Sequence, residues 1–340
     1  RFDGHDYVRE SMEKGAAVCF WQKDVPGAPE HVPLIFVDDT LDALQKLAAA
    51  YRRQLQVRVI AVTGSNGKTT TKDMIASILS TTYKVVKTEG NYNNHIGLPL
   101  TLLSLKDDTE MAVLEMGMSG RGEIALLSEL AQPEAAVITN IGDAHLLQLG
   151  SRSEIASAKL EILKGIQTDG MLVFPGEEPL VKEKLADPVL FEEHVGFALP
   201  ERLKTWSFGA SSECNVYPVS VMKQELQTHF HLNVMSKTTF TVPVPGCHNV
   251  LNAAAAIALS RYMGVSDDQI ARGLETVKLS AMRTAWLKTK SGLTICNDAY
   301  NASPTSMKAA IRMFEEIEGF QRKFLVLGDK IGRASCTERV

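Results

Sequence analysis

Between residues 57 and 150 the apolar positions fall into short unbroken runs separated by helix-spaced patterns. Val59-Ile-Ala-Val-Thr63, Met111-Ala-Val-Leu-Glu115 and Ala135-Ala-Val-Ile-Thr-Asn140 show no polar alternation, which predicts strands buried on both faces. After the first run, Met74, Ile75, Ile78 and Leu79 recur on one face of a predicted helix. Strands alternating with helices predict a parallel sheet covered by helices, hence an α/β fold. Upstream, residues 15–20 and 33–37 read as short strands, and residues 40–55 as a helix with Thr40 as its N-cap. Residues 171–245 change character. Thr228-His-Phe-His-Leu-Asn-Val234 and Thr238-Thr-Phe-Thr-Val242 alternate, which predicts an added antiparallel subdomain. Residues 249–263 form an Ala-rich helical pattern. A further unit opens near residue 285, with a strand at 293–296, a helix at 305–317 and a strand at 324–327. There is no internal repeat and no low-complexity segment.

At 340 residues the chain is long enough for two or three domains. A hydrophobic content of 45% supports ample cores, and a net charge of −4 offers no electrostatic basis for binding nucleic acid or an anionic membrane. No apolar run approaches the roughly 20 residues of a membrane span. Cys19, Cys214, Cys247, Cys296 and Cys336 form no CxxC pair. They read as reduced thiols, and with no secretory signal the expected location is cytoplasmic.

The strongest chemical signal is Gly64-Ser-Asn-Gly67-Lys68-Thr69-Thr70, placed between a predicted strand and a predicted helix. Backbone N–H groups in such a turn, with the helix N-terminus, favour a phosphate. Lys68 would reach the β/γ-phosphates and the Thr69 hydroxyl would bind Mg²⁺. The general P-loop pattern wants glycine five positions before Gly67, where this chain has Val62.

Other residues are ambiguous taken singly. Glu115 ends a buried strand, where ligands gather in open α/β sheets; it could hold Mg²⁺ or cap the next helix. His145, in Asn140-Ile-Gly-Asp-Ala-His145, could be a metal or phosphate ligand or a satisfied histidine. Lys159 sits in a helical run and alone reads as a solvated residue. Asn249 could cap the helix it opens, and Asn297-Asp298-Ala-Tyr300-Asn301 could be a turn.

Together, in this order, these pieces resemble the Mur ligase family of peptidoglycan biosynthesis. Family members carry TGxxGKTT, which accommodates Val62. The resemblance is strongest to members that add D-alanyl-D-alanine. It is carried by Thr88-Glu-Gly-Asn-Tyr-Asn-Asn-His-Ile-Gly-Leu-Pro99, Glu115-Met-Gly-Met-Ser119, the 140–145 stretch and Asp298-Ala-Tyr-Asn301. It implies an ATP-dependent, Mg²⁺-requiring amide ligase that works through an acyl phosphate on UDP-MurNAc-tripeptide and D-Ala-D-Ala, as a monomer. It implies that Gly64, Asn66, Gly67, Lys68, Thr69 and Thr70 cradle the nucleotide. One Mg²⁺ falls to Thr69 and Glu115; a second falls to His145 and to Lys159 carbamylated by CO₂. Asn249 would contact adenine, Arg283 the phosphates and Asp298 the ribose. Asn93 and Asn94 would hold the substrate near its reacting carboxyl, with Tyr300 and Asn301 beside the same cleft.

The implied architecture is three-domain α/β. Residues 1–56 would be a partial uridine-nucleotide domain, and 57–284 a central P-loop ATP-binding domain with the antiparallel addition. Residues 285–330 would begin a Rossmann-like C-terminal domain, and residues 331–340 read as a non-native tail. A chain so divided could be inactive by itself. Another Mur-type ligase, a folylpolyglutamate synthase or a non-catalytic nucleotide-binding module would share parts of this pattern. Asn91-Tyr-Asn-Asn94 speaks against the first two. Lys68, Glu115, His145 and Lys159 together speak against the third, since a binding module needs no second-metal site.

Overall fold

The computed structural model describes residues 3–224 and 226–328. Phe2, Asp329 and the 331–340 tail lie outside the described residues.

The strands, in chain order, are β1 (Cys19–Gln22), β2 (Leu34–Val37), β3 (Arg58–Thr63), β4 (Val85–Lys87), β5 (Met111–Glu115), β6 (Ala135–Ile138), β7 (Met171–Pro175), β8 (Lys204–Phe208), β9 (Pro218–Gln224), β10 (Gln227–Leu232), β11 (Phe240–Val242), β12 (Ala285–Lys288) and β13 (Thr294–Asn297). Six of them form one parallel sheet in the order β4-β5-β3-β6-β7-β8. The chain runs from β3 out to β4, back to β5, then across β3 to β6. The change of direction therefore lies around β3, where open α/β sheets bind ligands at their carboxyl ends.

Strand periodicity divides each run between two cores. Ile60 and Val62 face one core with Val113 and Val137, under the P-loop helix (Lys68–Leu79) and the Ala-rich helix (Cys247–Tyr262). Val59 and Ala61 face the other with Leu114 and Ala136, under helices Gly97–Leu103, Glu123–Ala131 and Arg152–Leu160. The P-loop helix buries more than the predicted stripe. Thr71, Lys72 and Asp73 are buried beside Met74, Ile75, Ile78 and Leu79 because helices also pack on its outer side.

Three expectations need correction. β7 and β8 extend the parallel sheet rather than joining an antiparallel unit; within residues 171–245 the antiparallel pairing is that of β9, β10 and β11. Sheet membership is set by distant partners, which periodicity does not report. Helix Thr40–Gln54 is capped by Asp39, whose side chain accepts from Asp42 N, so Thr40 is its first residue. Residues 324–327 form no strand. They find no ladder partner among the described residues, and Val326 is 96% exposed.

β1 and β2 pair in parallel, and buried Trp21 meets His5 edge to face at 4.6 Å. Buried Arg52 fastens helix Thr40–Gln54 to the body by donating to Ala131 O at 2.9 Å. β12 and β13 pair antiparallel and lead to helix Pro304–Glu316. No helix among the described residues is long and apolar enough to cross a membrane.

Candidate active site

The turn after β3 is shaped by two glycines. Gly64 has φ +148, and a Cβ there would fall 1.8 Å from Thr139 Oγ1. Gly67, at φ 78, is the N-cap of the P-loop helix and lies against Asn252 Oδ1. The loop after β6 braces the turn. Asn66 N donates to Asn140 Oδ1 at 3.0 Å, Asn140 Nδ2 donates to Asn66 O at 2.9 Å, and Gly142 N donates to Ser65 Oγ at 2.8 Å. The cradle is thereby fixed at the carboxyl ends of two neighbouring strands.

Half-buried Lys68 donates to Gly64 O at 2.7 Å. Burial lowers its pKa; Glu115 opposes that shift and Arg283 adds to it. Glu115, the last residue of β5, is 3% exposed. One of its oxygens accepts from Thr69 Oγ1 at 2.9 Å and the other from Asn93 Nδ2 at 2.9 Å. A hydroxyl and a carboxylate at the mouth of a phosphate cradle are the hard oxygen donors that Mg²⁺ prefers. Among the described residues no three His, Cys, Asp or Glu converge on one point.

Lys159, in the last turn of helix Arg152–Leu160, is 2% exposed. Burial and then the charge of Lys68 drive its pKa well below the ordinary value, and no carboxylate among the described residues opposes them. His145 stands at φ 69 ahead of the short helix Leu146–Leu149.

The opposite side comes from residues 283–313. Asp298 Oδ1 accepts from Thr284 N at 2.9 Å, and the Arg283 guanidinium lies 4.1 Å from the Tyr300 ring centre. Ser303 Oγ, the N-cap of helix Pro304–Glu316, donates to Asn66 Oδ1 at 3.1 Å. Burial lowers the His248 pKa, with Asp298 opposing, and burial pushes the Cys296 thiol up to about 11, with Asp298 adding.

Between the two sides lies a cleft of about 350 Å³. It gathers Asn66, Gly67, Lys68, Thr69, Thr70 and Glu115 from the cradle side. Asn93, Asn249, Arg283, Asp298, Tyr300 and Asn301 join them. Gly64, Asn94, His145 and Lys159 lie outside this lining. Asn94 Oδ1 accepts from Gly97 N at 2.8 Å and so starts the next helix. Asn249 is no cap: it lies within the first turn of its helix, buried, donating to Pro245 O at 2.8 Å. A larger hollow of about 610 Å³ behind the P-loop helix holds none of these donors.

Asn140, His248, Asn252 and Ser303 line or brace the cleft without having been singled out from the sequence. Asn252 follows Asn249 by three positions in a helix, and that same-face spacing was a usable signal. Asn140 was visible as the first residue of the 140–145 stretch, but its bracing part was not, because its bonds to Asn66 span 74 residues.

A model of the Mur ligase middle domain matches residues 62–260. The chain is 52% identical over 331 residues to UDP-N-acetylmuramoyl-tripeptide–D-alanyl-D-alanine ligase of Bacillus subtilis, covering 97% of this chain and 69% of that one. MurF from Acinetobacter baumannii superposes with a TM-score of 0.81 at 34% identity, covering 94% of this chain and 67% of the other. MurF from Thermotoga maritima in complex with ADP gives 0.79 at 30% identity, covering 94% and 70%.

Proposed function

The chain belongs to the Mur ligase family, and we propose that the cleft facing its cradle is where a carboxylate is phosphorylated and converted to an amide. The chain is an ATP-dependent ligase that adds D-alanyl-D-alanine to UDP-MurNAc-tripeptide in peptidoglycan synthesis, using ATP and Mg²⁺. In the proposed route the tripeptide carboxylate takes the γ-phosphoryl group of ATP, releasing ADP. The D-Ala-D-Ala amine then attacks the acyl carbon, its C–N bond forming as the C–O bond to phosphate breaks. Phosphate leaves and the amine proton passes to solvent.

The observation that carries this reading is the Thr69–Glu115 pair at 2.9 Å beside Lys68. Lys68 and the cradle amides neutralise phosphate charge and position it for in-line transfer. Thr69 and Glu115 would hold Mg²⁺, which when bound adds charge neutralisation at the phosphates. Asn93 and Asn94 orient the carboxyl substrate, Asn249 meets adenine, Asp298 the ribose and Arg283 the phosphates. Tyr300 and Asn301 flank the same cleft.

For a second Mg²⁺ the proposed holders are His145 and carbamylated Lys159. Burial without an opposing carboxylate favours the neutral amine, and only the neutral amine adds to CO₂. Carbamylation turns a cation that would repel the metal into an oxygen ligand that suits it. Residues 1–56, 57–284 and 285–328 are proposed as parts of three domains, and the location as cytoplasmic.

Phosphate release tests the reading. It should require UDP-MurNAc-tripeptide and D-Ala-D-Ala together; equal release with either one omitted would sink it. Incorporation of labelled bicarbonate into wild type but not Lys159→Ala tests the carbamate.

A further inference from the structure

Asp73 follows Thr69 by one turn of the P-loop helix, which places both on one face. Its side chain is wholly buried. Oδ1 pairs with Lys87 Nζ at 2.6 Å and lies 3.7 Å from Lys72 Nζ. Oδ2 accepts from Ser280 twice, from its backbone N–H at 2.8 Å and its hydroxyl at 2.7 Å. Lys72 also donates to Thr88 O at 2.7 Å, and the Thr88 hydroxyl accepts from Glu115 N at 3.0 Å. One buried carboxylate is thus linked to the strand end that carries Glu115 and to the segment that leads to Arg283.

That segment is kinked. Met282 and Thr284, either side of Arg283, have φ 58 and 50, a conformation that side-chain-bearing residues adopt at a cost. With both neighbours of Arg283 turned in this way, its direction depends on where the chain is pinned upstream. Ser280 is that pin. From there the guanidinium lies 4.1 Å from the Tyr300 ring centre and 3.4 Å from Thr69 Oγ1. A purely stabilising role is a poor account of the arrangement, because apolar packing usually does as well as a buried ionic cluster.

We propose that Asp73 is a positioning residue: by pinning Ser280 it sets the point from which Arg283 reaches the nucleotide phosphates, and through Lys72 and Thr88 it ties that reach to Glu115. The proposal rests on the reading of Arg283 given above. Replacing Asp73 itself would leave buried Lys72 and half-buried Lys87 without their carboxylate, so Ser280 is the better probe. Calorimetric titration with Mg·ADP should be run on wild type, Ser280→Ala, Ser280→Thr, Arg283→Ala and the Ser280→Ala/Arg283→Ala double variant, with Tm measured on each. Ser280→Ala should raise Kd about threefold to tenfold, the loss of one hydrogen bond to a charged group. Ser280→Thr, which keeps the hydroxyl, should stay within about twofold of wild type. Arg283→Ala should raise Kd about tenfold or more, and the double variant should bind no more weakly than Arg283→Ala alone. Unchanged affinity in Ser280→Ala, or independent effects that multiply in the double variant, would overturn the proposal while leaving Arg283 its role. Unchanged affinity in Arg283→Ala would remove both.

Discussion

On the cradle side of the cleft, Val59, Ile60, Ala61 and Val62 are fully buried and β3 pairs with a strand on each edge. On the far side, β12 and β13 form a sheet of two strands, and Leu293 and Ile295 are 64% and 45% exposed. The first wall is fixed by main-chain ladders and by a loop brace through Asn140. The second is held by side chains: Ser303 on Asn66 and Arg283 on Thr69 reach the first wall, and Lys223 of β9 pairs with Glu316. Pre-organised donors act on the charge that develops in a reaction, whereas a wall that can shift acts on capture and release. Substitutions on the first wall should therefore fall mainly on kcat, and those on the second mainly on nucleotide affinity.

Lys68→Ala gives the largest expected effect. In the proposed route this removes a fixed cation at the transferring phosphoryl, which should lower kcat by about a thousandfold. Tm should stay close to wild type, because Nζ donates within its own loop. Steady-state phosphate release and a thermal melt check both parts. A loss confined to the KM for ATP would break the comparison, since the cradle would then serve capture rather than reaction.

How much of this was legible follows the same division. The cradle is a local motif: a buried strand, two glycines and Lys-Thr, all within a dozen residues, so its strand–turn–helix shape was readable. Glu115 was readable as the end of a buried run. The alternation in residues 228–242 correctly gave two-faced strands, because one side of that sheet is exposed. The order of the main sheet was hidden, since β7 and β8 join it through pairings that no local period encodes. The Asp73 cluster was hidden too: Asp73 reads as one polar residue on a helix, and its partner Ser280 lies 207 residues away. The failed strand at 324–327 is the converse, an apolar run that lacks a partner among the described residues.

Lys159→Met gives an effect of intermediate size and of opposite sign for stability and activity. The lowered pKa means that the folded chain binds fewer protons than the unfolded one between that value and the ordinary lysine range. Stability supplied by this site thus rises with pH through that window, and the full penalty applies below it. A thioether of similar length removes the buried amine and should stabilise by about 1 kcal/mol or more in CO₂-free buffer near neutral pH. The rising limb of the stability–pH curve should flatten, as denaturant titrations at several pH values would register. Ligase activity should fall about a hundredfold if Lys159 serves the reaction, as proposed. A variant both less stable and fully active would mean that the first wall does not extend to this helix.

Ser303→Ala should have the smallest effect and bears most directly on the comparison. The hydroxyl caps helix Pro304–Glu316 by accepting from Ser306 N at 3.1 Å, and it also donates to Asn66. Losing an N-cap costs about 1 kcal/mol, so Mg·ADP affinity should weaken by no more than about fivefold. The informative measurement is hydrogen exchange. If the second wall is attached only by side chains, amides of helix Pro304–Glu316 should lose protection while those of helix Lys68–Leu79 stay unchanged, because the two would open separately. Equal loss in both helices would mean that one cooperative unit spans the cleft. Arg283 would then be held by the whole fold rather than delivered from a pinned segment, and the distinction between a rigid wall and a hung one would fail.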